Sequence, residues 1–191
     1  MKDRILNAAQ EIAQRKGYDG FSFRDIAAAV GIKPASIHYH FPSKGELTVA
    51  LVARYTDRLM ASLGEPTATA MKTTGDLIDR YIARFRGTLE HDGRMCLAGI
   101  FATEIDTLPA EVHEEIERFV LANIEWLTSA LRQYGSRRVR ASHQTDRARA
   151  IFSALEGAML VARGTHNISA FDTIVSSYRS AGLLPAQGKP N

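Results

Sequence analysis

A chain of 191 residues, 45% hydrophobic and 24% charged, can build a sizeable core and reads as a globular protein. Its single cysteine excludes an internal disulfide and suits a reducing, cytoplasmic setting. The charged, periodic start MKDRILNAAQEIAQRKG lacks a signal-peptide core, no apolar run nears the roughly 18 residues of a membrane span, and a net charge of +3 admits nucleic acid without requiring it.

Ile5, Ala8, Ala9, Ile12 and Ala13 recur at helical spacing, and Gly17 stops this first helix. Phe21 precedes Ser22-Phe-Arg-Asp25, an aspartate variant of the capping box, which opens a second short helix. That helix gives Ile26, Ala27 and Val30 to a core and ends at Gly31, where a left-handed cap is expected. Pro34 is tolerable only near a helix start. A third helix therefore begins there, placing Ile37 and Phe41 on one buried face with Ile32 beside them, until Pro42 breaks it and Ser43 caps the next.

A longer helix runs through Leu47, Leu51, Tyr55 and Leu59 to Leu63, and GEPTAT links it to a helix over 72–90 carrying Leu77, Ile78, Tyr81, Ile82 and Phe85. After a turn at His91-Asp-Gly93, MCLAGIFATEI reads as a buried helix. Pro109 opens a long helix through Val112, Ile116, Phe119, Ile124 and Leu131, ending at Gly135. The loop SRRVRAS, a helix over 144–164, another over 169–182 and a disordered tail PAQGKPN complete the chain. No segment alternates strongly enough for a strand, so the fold class expected is all-α.

Residues 23–41 form a helix, a tight turn and a second helix, with Ala27 allowing close approach and Gly31 making the corner. That is the pattern of a helix-turn-helix, whose second helix enters the major groove of DNA. Within it, His38 and His40 stand two apart. On a helix such residues point about 200° away from each other, so they cannot clasp one metal ion, which needs histidines at i and i+4.

The run RILNAAQEIAQRKGYDGFSFRDIAAAVGIKPASIHYHFPSKGELTVAL resembles the N-terminal domain of the TetR family of transcriptional regulators. Matching pieces are the first helix ending at Gly17-Tyr18, FSFRDIAAAVGI, the aromatic recognition helix ending at Phe41, and Ser43-Lys44 opening a fourth helix. The resemblance implies a helix-turn-helix domain over 1–46, a helical ligand-binding and dimerisation domain over 47–184 and a tail over 185–191. It also implies an obligate homodimer joined through the last two long helices, with a small-molecule pocket in the second domain.

The candidate DNA contacts follow. His38, with Pro34 and Ala35 one turn earlier, faces base edges, where an imidazole donates or accepts and an alanine meets a thymine methyl. The resemblance places Tyr39 and Lys44 on phosphates, which suits a phenol hydroxyl and an ammonium at a helix start. Ser22 and Arg24 are further phosphate candidates, Lys33 reaches either group, and Ser36 and His40 complete the set. The family often carries tyrosine where this chain has His38, so its base preference does not transfer.

Candidates for a ligand cavity are Tyr81, Phe85, Met95, Cys96, Phe101, Phe119, Trp126, Met159, Arg163 and His166, large apolar groups with a few polar ones; the same residue types also build any core. Ile151, Leu155, Ala158 and Ala162, facing Ile174 and Tyr178, form the stripe expected at a four-helix dimer interface, the alternative being an internal two-helix hairpin. Arg137, Arg138 and Arg140 read as a solvated loop. Cys96, just past Arg94, reads either as a thiol sensor of oxidants or electrophiles or as core packing.

The function expected is a homodimeric repressor released from a palindromic DNA operator by a small-molecule inducer. The alternatives are a thiol-based sensor of the same family, a constitutive architectural DNA binder, and a helical enzyme using His91, His113 or Cys96. No histidine pair has metal spacing, and no cofactor, metal or catalytic residue is expected.

Overall fold

The computed structural model describes residues 1–66, 73–134 and 141–187. Arg137, Arg138 and Arg140, the second half of GEPTAT and the end of the tail lie outside the described residues. Among those described, all regular structure is helical: α1 (Lys2–Lys16), α2 (Phe23–Val30), α3 (Pro34–His40), α4 (Lys44–Leu63), α5 (Thr74–Glu90), α6 (Leu97–Thr103), a 3-10 turn (Ile105–Thr107), α7 (Ala110–Tyr134), α8 (Ala141–Gly164) and α9 (Ile168–Ser180). The helix expected over MCLAGIFATEI is shorter than read, because Cys96 takes the cap position and the chain tightens into the 3-10 turn after Glu104. Helix α5 opens on a second capping box: Thr73 Oγ1 accepts from the Asp76 N–H at 3.1 Å and the Asp76 carboxylate accepts from the Thr73 N–H at 2.8 Å.

The chain divides into two compact units, one of Met1–Arg58 with Met95–Phe119 and one of Leu59–Arg94 with Val120–Asn191. In the first, Ile5, Ala9, Phe21, Ile26, Ile37, Leu47 and Leu51 share a core with Leu97, Phe101, Val112 and Ile116. Burying each large aliphatic side chain there contributes about 2 kcal/mol. The buried Gln14 is satisfied across that core, donating from Nε2 to the Met95 carbonyl at 2.7 Å. Ile32 packs only half-buried, a correction to the expectation that it joins Ile37 in the interior: it follows the Gly31 corner, where the chain leaves the core.

One close approach fixes the α1–α2 corner. Gly17 has φ 73° and ψ −172°, its N–H closes on the Ala13 carbonyl at 2.9 Å, and the next amide, Tyr18 N–H, donates to Glu104 Oε2 at 2.6 Å. The Tyr18 ring then packs edge-on against Phe21 at 6.0 Å and Phe101 at 6.3 Å. Residues 86 positions apart are joined at one backbone amide.

In the second unit Tyr81 is fully buried, donates its hydroxyl to Asn123 Oδ1 at 2.6 Å and stacks on Trp126 with centroids 5.5 Å apart. The Trp126 indole N–H donates to the Gly64 carbonyl at 2.7 Å. Helix α8 packs on α9 and α5, and α5 is tied to α9 by Arg86–Asp172 at 2.7 Å and by the ion pair Arg179–Asp79. Ile151, Leu155, Ala158 and Ala162, read above as a dimer stripe, are 0–3% exposed within the single chain, while Ile174 and Tyr178 are half-buried. The four α8 side chains line its inner face, as the internal-hairpin alternative has them. Its outer face leaves Leu160 64% and Val161 46% exposed.

Candidate nucleic-acid interface

Local chemistry builds the α2–α3 corner. The Asp25 N–H donates to Ser22 Oγ at 3.3 Å, while the Asp25 carboxylate accepts from the Ser22 hydroxyl at 2.6 Å and the Ser22 N–H at 2.8 Å. These bonds from Ser22 hold the Asp25 carboxyl below the usual carboxylate range. Gly31 takes the left-handed conformation at φ 74° and ψ 39°, and the N–H groups of Gly31 and Ile32 both close on the Ala27 carbonyl, at 2.9 and 3.0 Å. Pro34 occupies the first turn of α3, where its missing N–H costs nothing. Ser22→Ala is expected to lower stability by about 1 kcal/mol in urea unfolding, and an unchanged midpoint would remove the box as a determinant of this corner.

Helix α3 keeps Ile37 inside, with Phe41 5% exposed just beyond its end, and leaves most of its length to solvent. Lys33, Pro34, Ala35, Ser36, His38 and Tyr39 are exposed and His40 is half-buried. Tyr39 is 85% exposed and meets the His40 ring at 5.2 Å. His38 packs on Phe23 with centroids 4.6 Å apart, and its Nδ1 lies 3.4 Å from the Pro42 carbonyl oxygen.

A shallow groove brings five of the sequence candidates together: Ser22, Arg24, Pro34, His38 and Lys44 line it with Phe21 and Phe23. Lys33, Ala35, Ser36, Tyr39 and His40 are not among its lining residues. Lys44 is not extended into solvent. Its ammonium sits 4.2 Å over the Tyr18 ring and 4.7 Å over Phe21, half-buried. Burial pulls its pKa below the ordinary lysine value, against the opposing charges of Asp19, Glu104 and Asp25. The groove thus presents two cations, Arg24 and Lys44, beside a helix face of donors and small side chains. That arrangement suits a phosphate backbone flanking readable base edges.

Sequence reasoning missed the aromatic seats. Phe23 backs His38, and Tyr18 with Phe21 holds Lys44. The aromatic spacing in YDGFSF was the available signal. Glu104 had none, since only the folded chain carries it to Tyr18.

The ligand candidates separate. Tyr81, Phe85 and Trp126 form one aromatic cluster, Tyr81 and Phe85 lying 5.0 Å apart, with Phe152 at 6.4 Å from Phe85. Met95, Cys96, Phe101 and Phe119 belong to the first unit, where Phe119 lies 5.6 Å from Tyr55. Cys96 is 2% exposed, and its sulfur accepts the Gly99 N–H at 3.5 Å. Met159 is buried, Arg163 half-buried and His166 exposed. Among the described residues no group of three or more His, Cys, Asp or Glu side chains is placed to share a metal ion, and no helix is long and apolar enough to cross a membrane.

Residues 5–51 match the sequence profile described as "Bacterial regulatory proteins, tetR family". IcaR of Staphylococcus aureus, the negative transcriptional regulator of the biofilm operon icaADBC, is 52% identical over 44 residues, 23% of this chain and 24% of its own length. The chain therefore spans about a quarter of the curated relatives it matches. Among solved structures, a TetR transcriptional regulator from Legionella pneumophila has a TM-score of 0.87 and 32% identity over 95% of this chain and 96% of that one. A TetR-family regulator from Agrobacterium tumefaciens has a TM-score of 0.81 and 30% identity over 92% and 94% of the two chains. With identity at this level sustained over nearly the whole of both chains, the protein belongs to the TetR family of transcriptional regulators.

Proposed function

We propose that the chain is a homodimeric repressor that binds a palindromic double-stranded DNA operator through α2 and α3 and leaves it when a small molecule binds. The observation that carries this is α3 itself: seven residues with Ile37 as the buried one and Arg24 and Lys44 beside the exposed face. A helix so short and so poorly buried stabilises little, so its exposed side chains serve a partner. Repression, rather than activation, is supported by the negative regulation ascribed to IcaR.

Two copies place two recognition helices on half-sites about 34–36 Å apart. The outer face of α8 supports the pairing, with Gly157, Leu160, Val161 and Gly164 at three-, four- and seven-residue spacing and all exposed. An inducer that binds a wrongly spaced dimer about 100-fold more tightly shifts the balance by about 2.7 kcal/mol.

The test begins with selection of duplexes from a random pool by the purified protein. Lys44→Ala is expected to weaken binding to all recovered duplexes alike and to flatten the plot of log affinity against log salt by about one unit, the loss of one phosphate contact. An unchanged slope would confine Lys44 to packing on Tyr18 and Phe21.

A further inference from the structure

We infer that His38 reads an exocyclic amino group of the operator, accepting a hydrogen bond at Nε2 from adenine N6 or cytosine N4. This rests on the DNA-binding function proposed above and specifies which base atoms one side chain selects.

The inference starts from the other ring nitrogen. His38 Nδ1 lies 3.4 Å from the Pro42 carbonyl oxygen. A carbonyl oxygen only accepts, so Nδ1 carries the proton in that contact. The bond made by one imidazole nitrogen sets the role of the other. A neutral ring has a single N–H, which leaves Nε2 a bare acceptor. Phe23 packs against the ring at 4.6 Å with planes 67° apart, a second restraint on its orientation. The Pro42 carbonyl closes the loop after α3, so the tautomer is set by the backbone of the motif.

The major groove then narrows the choice. Guanine offers two acceptors there, N7 and O6, and thymine an acceptor and a methyl group. Only adenine and cytosine present an amino donor. An Nε2 acceptor therefore favours one of those two bases and leaves two lone pairs opposed at guanine.

Two measurements test this. In the first, the intact protein is labelled with 15N-histidine and its ring nitrogens are observed at alkaline pH, the His38 signals being those missing from His38→Ala. The Nδ1–H tautomer is expected, and the Nε2–H tautomer overturns the inference without reference to DNA. In the second, the selected duplex carries purine for adenine or 2-pyrimidinone for cytosine, one position at a time. Removing one amino group per half-site takes one hydrogen bond from each protomer, so it should weaken the parent about 25-fold, about five-fold per bond, and leave His38→Ala unaffected. Sensitivity of the parent to 7-deazaguanine in place of guanine, lost in His38→Ala, shows a donating histidine and overturns the inference. So does indifference to every analogue. Recovery of no duplex at all sinks the DNA-binding proposal instead, while the tautomer measurement still stands.

Discussion

Gly17→Ala is expected to destabilise the protein by about 3 kcal/mol, lowering the melting temperature by about 6–12 °C. Two costs combine. At φ 73° and ψ −172° the backbone occupies a region that L side chains rarely enter, worth about 1–3 kcal/mol of strain. A Cβ would also stand 2.2 Å from Glu104 Oε1, so the carboxylate must withdraw. Withdrawal leaves the Tyr18 N–H, now bonded at 2.6 Å, without its acceptor. A thermal melt of the variant checks the total, and a double-mutant cycle separates the parts. Glu104→Ala alone should cost about 1–2 kcal/mol, and adding it to Gly17→Ala should cost little more, because the same bond is lost once. A Gly17→Ala protein melting with its parent would show that the corner relaxes freely.

If the proposed dimer pairs through the outer face of α8, Leu160→Glu is expected to convert it to folded monomers, weakening self-association at least about a thousand-fold. On a monomer surface this change at a residue 64% exposed would be nearly neutral. In a two-fold interface it buries an unpaired carboxylate twice, once from each protomer. Affinity for the proposed palindromic operator should fall with it, since each monomer would hold one half-site. Ala158→Glu makes the informative contrast. Ala158 is 1% exposed within its own chain, so a carboxylate there should lower the melting temperature whatever the oligomeric state. Light scattering and thermal melts on the two variants separate the faces of α8. A dimeric Leu160→Glu protein would move the interface to another surface.

The elements that sequence reveals are those whose physics is local. Ser22 and Asp25 are three residues apart, Gly31 sits at the corner it makes, and Pro34 opens the helix that follows, so α2 and α3 could be read directly. The groove was legible only as a list of polar residues. That Lys44 rests on two rings, and that Phe23 backs His38, depends on packing between helices that no spacing rule reports. Helix α8 was ambiguous for a different reason. Small and apolar residues line both sides of it, Ala158 and Ala162 inward and Gly157, Leu160 and Val161 outward, so periodicity could not tell the inner stripe from the outer one. The Glu104 clasp on Tyr18 spans 86 residues and left no local trace.

Hydroxyl-radical footprinting of the purified protein on a selected duplex tests most directly whether α3 of a homodimer reads DNA. Two protected patches related by a dyad and about one helical turn, 34–36 Å, apart are predicted, with His38→Ala retaining both patches and relaxing the sequence recovered beneath them. A single protected patch, or protection independent of duplex sequence, would contradict it.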